Sequence, residues 1–246
     1  MKKMILFFLL FYYCVNAQSL SNIYFLSEDI GWIQTIGYAQ IPIKTFRTTN
    51  GGITWIQLDT MFNYKNIQFI NDSVGYLFSV FRFRFEDGLQ GKNLYKTTDK
   101  GKTWYFLTDT LKGLHNVMFA DEMVGYADAG TAKTNNGGIT WLKQPGGGNT
   151  SKFEVITKDK VILLSTADDD RYFITTNGGI SWEGKEFPFP YRDTIYANSD
   201  RGLADIQFTD TLHGFVTTVT SNPQDPDFSG IYSTSDGGET WIFSYS

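Results

Sequence analysis

The chain has only one cysteine, Cys14, and it lies in the N-terminal segment ahead of every motif described below. An intrachain disulfide is therefore excluded, and so is a site built on several thiolates. The two histidines, His115 and His213, stand alone in their segments, with no spacing typical of metal ligands. We predict neither a metal site nor a cofactor.

An excess of basic residues is also lacking. The formal net charge is −5, and no run of lysine or arginine occurs. A nucleic-acid partner needs a basic stripe to neutralise phosphates. The composition therefore disfavours that class of partner.

Long apolar runs are absent too, since the longest, Met4–Tyr13, falls short of the roughly 20 residues that span a bilayer. A basic start precedes this run, and the small-residue signal Val15-Asn16-Ala17 follows it. This order predicts a signal peptide over residues 1–17, cleaved before Gln18. We therefore expect a secreted or periplasmic protein without a transmembrane segment.

Cys14 allows an alternative, a lipidated cysteine. Lipoprotein signals place a small residue just before the cysteine, whereas this chain has Tyr13 there. Lipidation is therefore disfavoured. We expect the mature chain, residues 18–246, to form a single domain.

What the chain does contain is an eight-residue phrase, here called the box, that occurs five times as Thr-x-Asp/Asn-x-Gly-x-Ser/Thr-Trp. Asp or Asn at position three can accept backbone hydrogen bonds within a tight turn, and Gly at position five tolerates positive φ. The box therefore predicts a hairpin with a structural role. The five boxes are Thr48–Trp55, Thr97–Trp104, Thr134–Trp141, Thr175–Trp182 and Thr234–Trp241. Their structural residues are Asn50, Gly52, Trp55, Asp99, Gly101, Trp104, Asn136, Gly138, Trp141, Asn177, Gly179, Trp182, Asp236, Gly238 and Trp241.

A second phrase precedes four of the boxes, with Phe, then Gly six residues later, then an aromatic residue. It predicts a strand, a turn and a second strand. The fourth repeat has only a degenerate version, residues 153–164, which still alternates around a Lys-Asp-Lys turn. We expect the aromatic residues after the glycines to lie in the core between blades: Trp32, Tyr76, Tyr126 and Phe215.

Each repeat thus contains four strands, A to D, with the box as the C–D turn. Repeats of this kind predict an all-β fold, a β-propeller of about five four-stranded blades. The predicted blades cover approximately residues 20–60, 64–110, 114–145, 151–187 and 203–246.

The boxes resemble the Asp-box, or bacterial neuraminidase, repeat. Sialidases, sortilin-type receptors, two-domain xyloglucanases and the photosystem II assembly and stability factor family share this repeat. The pairing of the box with the Phe–Gly–aromatic phrase is most similar to the last family and its secreted bacterial relatives. The members of that family resemble seven-bladed propellers with an arginine-rich patch. This chain has five repeats, and its arginines are dispersed. The resemblance therefore implies the fold more strongly than a photosynthetic role.

A ligand site is predicted on one rim. Boxes and A–B turns share one rim, while length variation falls in the B–C and D–A connections on the other. Variable loops on a rigid scaffold commonly carry function, so we expect an unknown protein or glycan to bind there. The candidate binding residues are Arg82, Arg84, Glu86 and Asp87 in the second blade, and Arg192 and Arg201 before the fifth. The alternative for all of them is solvated surface charge.

Two further sites were considered, a calcium site and a sialidase-like active site. Asp168-Asp169-Asp170 offers oxygen ligands, but Ca²⁺ takes six to eight of them, so a solvated turn is favoured. Sialidases carry a Phe-Arg-Ile-Pro phrase, and the nearest match, Phe46-Arg47-Thr48-Thr49, runs straight into a box. No catalytic residue is predicted. The sequence favours a noncatalytic binding or assembly module, with a glycoside hydrolase of sialidase-like or related type as the alternative.

Overall fold

The computed structural model of the 246-residue chain describes ten segments. Within them every regular element is a β-strand, and no helix is long and apolar enough to cross a membrane. The predicted signal peptide and its cleavage point lie outside the described residues. The segments are 20–35, 44–58, 64–80, 92–108, 116–128, 130–145, 152–165, 171–189, 201–220 and 230–245.

The strands form five antiparallel sheets of four, each built from consecutive strands in chain order. This confirms the predicted fold class, an all-β protein whose sheets are the five blades of a β-propeller. The first blade contains β1 (Leu20–Phe25), β2 (Gly31–Thr35), β3 (Thr45–Thr48) and β4 (Ile56–Leu58). The second contains β5 (Tyr64–Phe69), β6 (Gly75–Val80), β7 (Lys92–Thr97) and β8 (Tyr105–Thr108). The third contains β9 (Val117–Phe119), β10 (Gly125–Ala127), β11 (Ala132–Thr134) and β12 (Leu142–Lys143). The fourth contains β13 (Lys152–Val155), β14 (Val161–Leu164), β15 (Arg171–Thr175) and β16 (Glu183–Glu186). The fifth contains β17 (Arg201–Phe208), β18 (Gly214–Thr220), β19 (Ile231–Thr234) and β20 (Ile242–Tyr245).

The chain divides into two compact units, residues 1–109 with the first two blades and residues 110–246 with the other three. Each unit has its own core. In the first, Trp32, Ile67 and Phe69 belong to one buried cluster that spans the two blades. In the second, buried clusters join the third blade to the fourth and the fourth to the fifth.

The structure explains the six-residue Phe-to-Gly spacing. Phe25 and Gly31 are directly opposite each other in the β1–β2 ladder, and the Phe ring lies over the glycine. A Cβ at Gly31 would lie 2.7 Å from two ring carbons. Because real Cβ contacts are longer, only glycine fits beneath the ring.

The same phenylalanine also contacts the box tryptophan of its own blade. Phe25 and Trp55 meet edge to face with ring centroids 6.2 Å apart, and Phe208 and Trp241 do so at 6.0 Å. Edge-to-face pairs place the positive ring edge on the negative ring face. The two sequence phrases are therefore packed together within each of these blades.

The fourth blade replaces the Phe–Gly pair with Val155 opposite Val161. Two β-branched residues fill the space of one large ring over a glycine, so no glycine is needed. This accounts for the degenerate phrase at residues 153–164.

The aromatic residue after the glycine packs on the following blade in the first and third blades. Trp32 is fully buried and stacks on Phe69 of the second blade, with centroids 4.4 Å apart. Tyr126 is equally buried, and its hydroxyl donates to the Lys158 carbonyl oxygen of the fourth blade at 2.5 Å. Tyr76 is buried as well.

The prediction was wrong for Phe215, whose side chain is 45% exposed. Trp32 and Tyr126 are covered by residues of the next blade in the sequence, including its box. In the fifth blade the described residues provide no such cover, so the Phe215 ring stays exposed.

Candidate functional site

The five boxes share one hydrogen-bond pattern. In each, the amide of position seven donates to the side-chain oxygen of position three, at 2.9–3.0 Å. The amide of position five donates to the threonine hydroxyl of position one, also at 2.9–3.0 Å. The side chains at positions one and three are therefore occupied in closing the turn.

Asn and Asp serve equally at position three because the hydroxyl at position seven reverses its role. The Asn50 amide donates to Thr54 Oγ1 at 2.8 Å, whereas Thr103 Oγ1 donates to the Asp99 carboxylate at 2.6 Å. A hydroxyl can donate or accept, so both versions satisfy the turn.

The box carboxylates are held in their ionised form. Burial opposes ionisation, but hydrogen bonds from the hydroxyls and amides of the turn outweigh it and lower the pKa of Asp99 to about 2. The same balance lowers the pKa of Asp236 to about 2. A general acid or base works best with a pKa near the operating pH. Neither carboxylate therefore suits proton transfer at neutral pH.

Each box is also bonded to the A–B turn of its own blade. The amide at position four donates to a carbonyl oxygen of that turn in all five blades, at 2.8–3.1 Å. Examples are Gly51 to Asp29 and Gly237 to Leu212. Boxes and A–B turns thus lie at the same end of each blade, as predicted.

Cations on strand C lie over the buried aromatic residues of strand B in their own blades. The Arg47 guanidinium lies 5.6 Å from the ring centroid of Trp32, and Lys133 Nζ lies 5.0 Å from that of Tyr126. Lys133 also donates to the carbonyl oxygen of Gly178, in the box of the next blade, at 3.0 Å. Both cations cover a buried aromatic residue, and Lys133 also bonds the following box.

The joint between the fourth and fifth blades uses an ion cluster in place of a cation over a ring. Glu239, in the fifth box, accepts from Lys160 at 3.4 Å and from Lys185 at 2.5 Å. The hydrogen bond from Lys185 lowers the pKa of Glu239, with burial opposing it. These charges are paired with each other and indicate a structural joint.

Two carboxyls, Glu154 and Asp205, lie at the contact of strands β13 and β17, and we call them the β13–β17 acid pair. Lys152 lies beside them. Strands β13 and β17 are the first strands of the fourth and fifth blades and lie against each other. Lys152 Nζ is 3.1 Å from Asp205 Oδ1, which ties the two strands together. Asp205 is exposed, whereas Glu154 is largely withdrawn from solvent.

Glu154 has a strongly raised pKa. Burial raises its pKa to about 7, the hydrogen bond from the Phe208 backbone amide acts in the opposite direction, and the charge of Asp205 adds to the increase. A carboxyl whose pKa lies near neutrality, close to a second carboxyl, is a chemically distinctive arrangement.

Most of the binding residues predicted from sequence lie outside the described residues. These are Arg82, Arg84, Glu86, Asp87 and Arg192, as well as the Asp168–Asp170 segment. Arg201 begins β17, where its backbone pairs with Thr220, and its side chain is not described. Within the described segments, no cluster of three His, Cys, Asp or Glu side chains has a geometry that could hold a metal ion.

Exposed apolar side chains form a further feature that sequence reasoning missed. In four blades the residue after the box tryptophan, which begins the edge strand D, is apolar and 44–67% exposed: Ile56, Tyr105, Leu142 and Ile242. In the first and third blades an exposed isoleucine of the box, Ile53 or Ile139, precedes it by three residues. The signal was present as an apolar residue directly after the box tryptophan in four of the five repeats.

The chain matches no protein-family model and no curated protein. It is similar in structure to the GH74 xyloglucanase from Xanthomonas campestris, with a TM-score of 0.60 and 14% identity over 89% of this chain and 37% of that one. An ancestral GH74 enzyme has a TM-score of 0.57 and 12% identity over 92% and 32%. YCF48 from Cyanidioschyzon merolae has a TM-score of 0.52 and 16% identity over 92% of this chain and 85% of that one. The chain thus spans about a third of each GH74 enzyme, and at these identities the likeness shows the β-propeller fold alone.

Proposed function

We propose that this protein is a noncatalytic binding or assembly module that works outside the cytoplasm and whose partner is a protein. The observation that carries the proposal is the recurrence of exposed apolar residues at the start of strand D in four blades. Each compact unit exposes two of these apolar side chains, Ile56 and Tyr105 in the first and Leu142 and Ile242 in the second, and a protein partner can bury them. Strand D is also an edge strand of each sheet, a position at which another chain can add.

The comparison of lengths supports an assembly role. YCF48, a photosystem II assembly factor, is matched over 85% of its length, whereas the GH74 enzymes are matched over 37% and 32%. In matched length, this chain is therefore more similar to the assembly factor than to the enzymes. The dispersed arginines argue against the same partner as in photosynthesis.

A location outside the cytoplasm rests on the signal peptide predicted at residues 1–17. N-terminal mass analysis of the secreted or periplasmic protein tests it, and we expect the mature chain to begin at Gln18. An intact Met1, or a lipid on Cys14, would contradict this part of the proposal.

Two surfaces are candidates for the partner contact: the exposed apolar residues at the start of strand D, and the rim of B–C and D–A connections predicted from sequence. Capture of partners from the secreted or periplasmic fraction distinguishes them. The paired change Tyr105→Ser and Ile242→Ser removes exposed apolar area, and we expect it to weaken capture. The paired change Arg82→Glu and Arg84→Glu tests the rim predicted from sequence. The matched control is Ile180→Ser, which alters an exposed box isoleucine whose blade has Glu183 at the start of strand D. Wild-type capture by both paired variants would overturn the proposal.

A glycoside hydrolase is the second candidate, because burial raises the pKa of Glu154 to about 7 and Asp205 is a second carboxyl near it. Glycosidases use one carboxyl as the acid and another as base or nucleophile. The likeness to GH74 enzymes makes xyloglucan the first substrate to assay, with a sialoside as the second. Turnover abolished by both Glu154→Gln and Asp205→Asn, in folded protein, would favour the enzyme over the binding module. We expect no turnover by the wild-type chain.

A further inference from the structure

The second blade differs from the other four in the residues of its box. Lys100 and Lys102 occupy positions four and six, where three boxes have glycine and isoleucine and the fifth has glycine and glutamate. No other box contains a lysine or an arginine. In a chain with a formal net charge of −5, this turn therefore concentrates positive charge directly before an edge strand.

Lys100 holds its position against a conformational cost. Its φ is 64°, in the left-handed region, whereas the other four boxes place a glycine there with φ of 68–76°. The turn needs no side chain at this position, because the four boxes with glycine form the same hydrogen bond from position five to position one. A side chain that is kept in a strained conformation, and that the fold does not require, points to a role in binding.

The charges of the two lysines are not neutralised within the fold. Neither side chain forms an ion pair with any residue of the described segments, and Lys102 is exposed. The Asp99 carboxylate accepts hydrogen bonds from Thr97 Oγ1 at 2.8 Å and from Thr103 Oγ1 at 2.6 Å, which hold it inside the turn. Asp72 is on the A–B turn that bonds this box, and it pairs with neither lysine. Both charges are therefore available to an anionic partner.

The edge strand that follows, β8, has no charge of its own. Its residues, Tyr105–Thr108, are all uncharged, and Tyr105 and Phe106 are 44% and 53% exposed. The equivalent strand of the fourth blade, Glu183–Glu186, has a charge at three of its four positions. Charged side chains on an edge strand oppose the addition of another strand. The fourth blade has this protection, whereas β8 lacks it.

The two exposed rings of β8 suit a ligand in extended conformation. Tyr105 is paired with Lys96 in the β7–β8 ladder, and Phe106 is paired with Tyr95, whose ring it meets edge to face at 5.8 Å. Successive residues of a strand point to opposite faces of the sheet, so the two rings lie on different faces. A segment that is added beside β8 also alternates its side chains between these faces. Apolar residues of that segment can therefore pack against both rings.

On the basis of the proposed function, we propose that β8 binds an extended, acidic segment of the partner protein by strand addition, with Lys100 and Lys102 pairing with its carboxylates. Backbone hydrogen bonds along the edge supply affinity, and the two rings and the two lysines select the sequence. The edge strand β20, Ile242–Tyr245, is also uncharged, but its box has Asp236 and Glu239 in place of a basic pair. An acidic segment is therefore bound by the second blade and not by the fifth.

Selection from a phage library of random peptides tests this assignment without a known partner. Peptides of about ten residues are long enough for one added strand. We expect those recovered on the immobilised wild-type protein to be enriched in Asp and Glu, with apolar residues at alternate positions. Replacing their acidic residues by Gln and Asn should weaken binding about tenfold in a fluorescence anisotropy titration, because two ion pairs are lost. A proline at the centre should abolish binding, since proline has no N–H to donate.

Changes in the protein give the matching readout. The double change Lys100→Gly and Lys102→Ile gives the second box the residue types of the first at these positions, so we expect it to fold. It should weaken binding of the recovered peptides about tenfold, whereas Lys102→Arg keeps the charge and should retain binding. Lys143→Gln removes a lysine from the edge strand of the third blade. This variant is the matched control and should bind as the wild type does.

Three results would overturn the assignment: recovery of no specific peptide, recovered peptides without an acidic preference, and equal binding by the lysine double variant and the wild type. Self-association of the wild type that is abolished by Phe106→Thr, measured by light scattering, would assign the edge to a second copy and overturns it as well. Failure of the proposed function gives a different result. If Tyr105→Ser with Ile242→Ser abolishes partner capture but the lysine double variant does not change it, the binding module stands and the acidic segment is wrong.

Discussion

The ring of Phe119 covers Gly125 so closely that a Cβ on Gly125 would lie 2.8 Å from ring carbons. Both residues are in the β9–β10 ladder of the third blade, and Phe119 in turn meets Trp141 edge to face with centroids 6.0 Å apart. A methyl group at Gly125 therefore has to displace a ring that is held from its other side.

We expect Gly125→Ala to destabilise the protein by about 1–3 kcal/mol, the usual cost of overpacking a core. Chemical denaturation of the variant and the wild type measures it. Gly202→Ala is the matched control, because a Cβ there would lie 4.0 Å from a Val219 methyl group, an ordinary contact. Equal stability of the two variants would refute the account of the Phe–Gly pair.

Asp236 should be replaceable by asparagine but not by alanine. Asparagine at this position makes the same turn in three native boxes, with the hydroxyl of position seven as acceptor. Alanine removes the acceptor for the amides of Glu239 and Thr240, so we expect a loss of about 0.5–2 kcal/mol. Denaturation at pH 7 compares the three proteins. A loss in Asp236→Asn as large as in the alanine variant would be inconsistent with this reading.

The box carboxylates also predict an acid sensitivity. The pKa values of Asp99 and Asp236 are lowered from 3.8 to about 2 in the folded protein. Their stabilisation is present above about pH 4 and is lost as the pH falls through about 2. The double variant Asp99→Asn and Asp236→Asn should therefore lose less stability between pH 4 and pH 2 than the wild type. Thermal unfolding across this range is the measurement, and parallel curves would contradict the prediction.

The fold was predictable because its repeated motifs act locally. The box closes its turn with its own side chains, and the Phe–Gly phrase pairs residues of one hairpin, so both leave a fixed spacing in the sequence. Contacts between blades leave no such spacing. Lys133 meets Gly178 and Glu154 meets Phe208 only because the blades stack, and each joint uses different residue types.

Lys100 is the box residue that a glycine should improve. It occupies position four of the second box with φ of 64°, where the other four boxes have glycine. A side chain in the left-handed region costs about 1–2 kcal/mol, and the added freedom of glycine in the unfolded chain offsets part of it. We expect Lys100→Gly to stabilise by up to about 1 kcal/mol and the reverse change, Gly51→Lys, to destabilise. Denaturation midpoints decide, and a destabilised Lys100→Gly would show that the lysine has a compensating role.

Tyr126 and Phe215 occupy equivalent positions of strand B but differ in burial. Tyr126 is fully buried beneath the next blade, whereas Phe215 is 45% exposed and has Val219 and Ile231 as exposed apolar neighbours on its sheet. Tyr126→Ser should cost about 3–5 kcal/mol, as for other large aromatic residues removed from a core, and Phe215→Ser should cost less than about 1 kcal/mol. Denaturation of the two variants at one protein concentration measures both. If Phe215→Ser is as destabilising as Tyr126→Ser, and more so at higher protein concentration, then a second molecule covers this face, because only association makes stability depend on concentration.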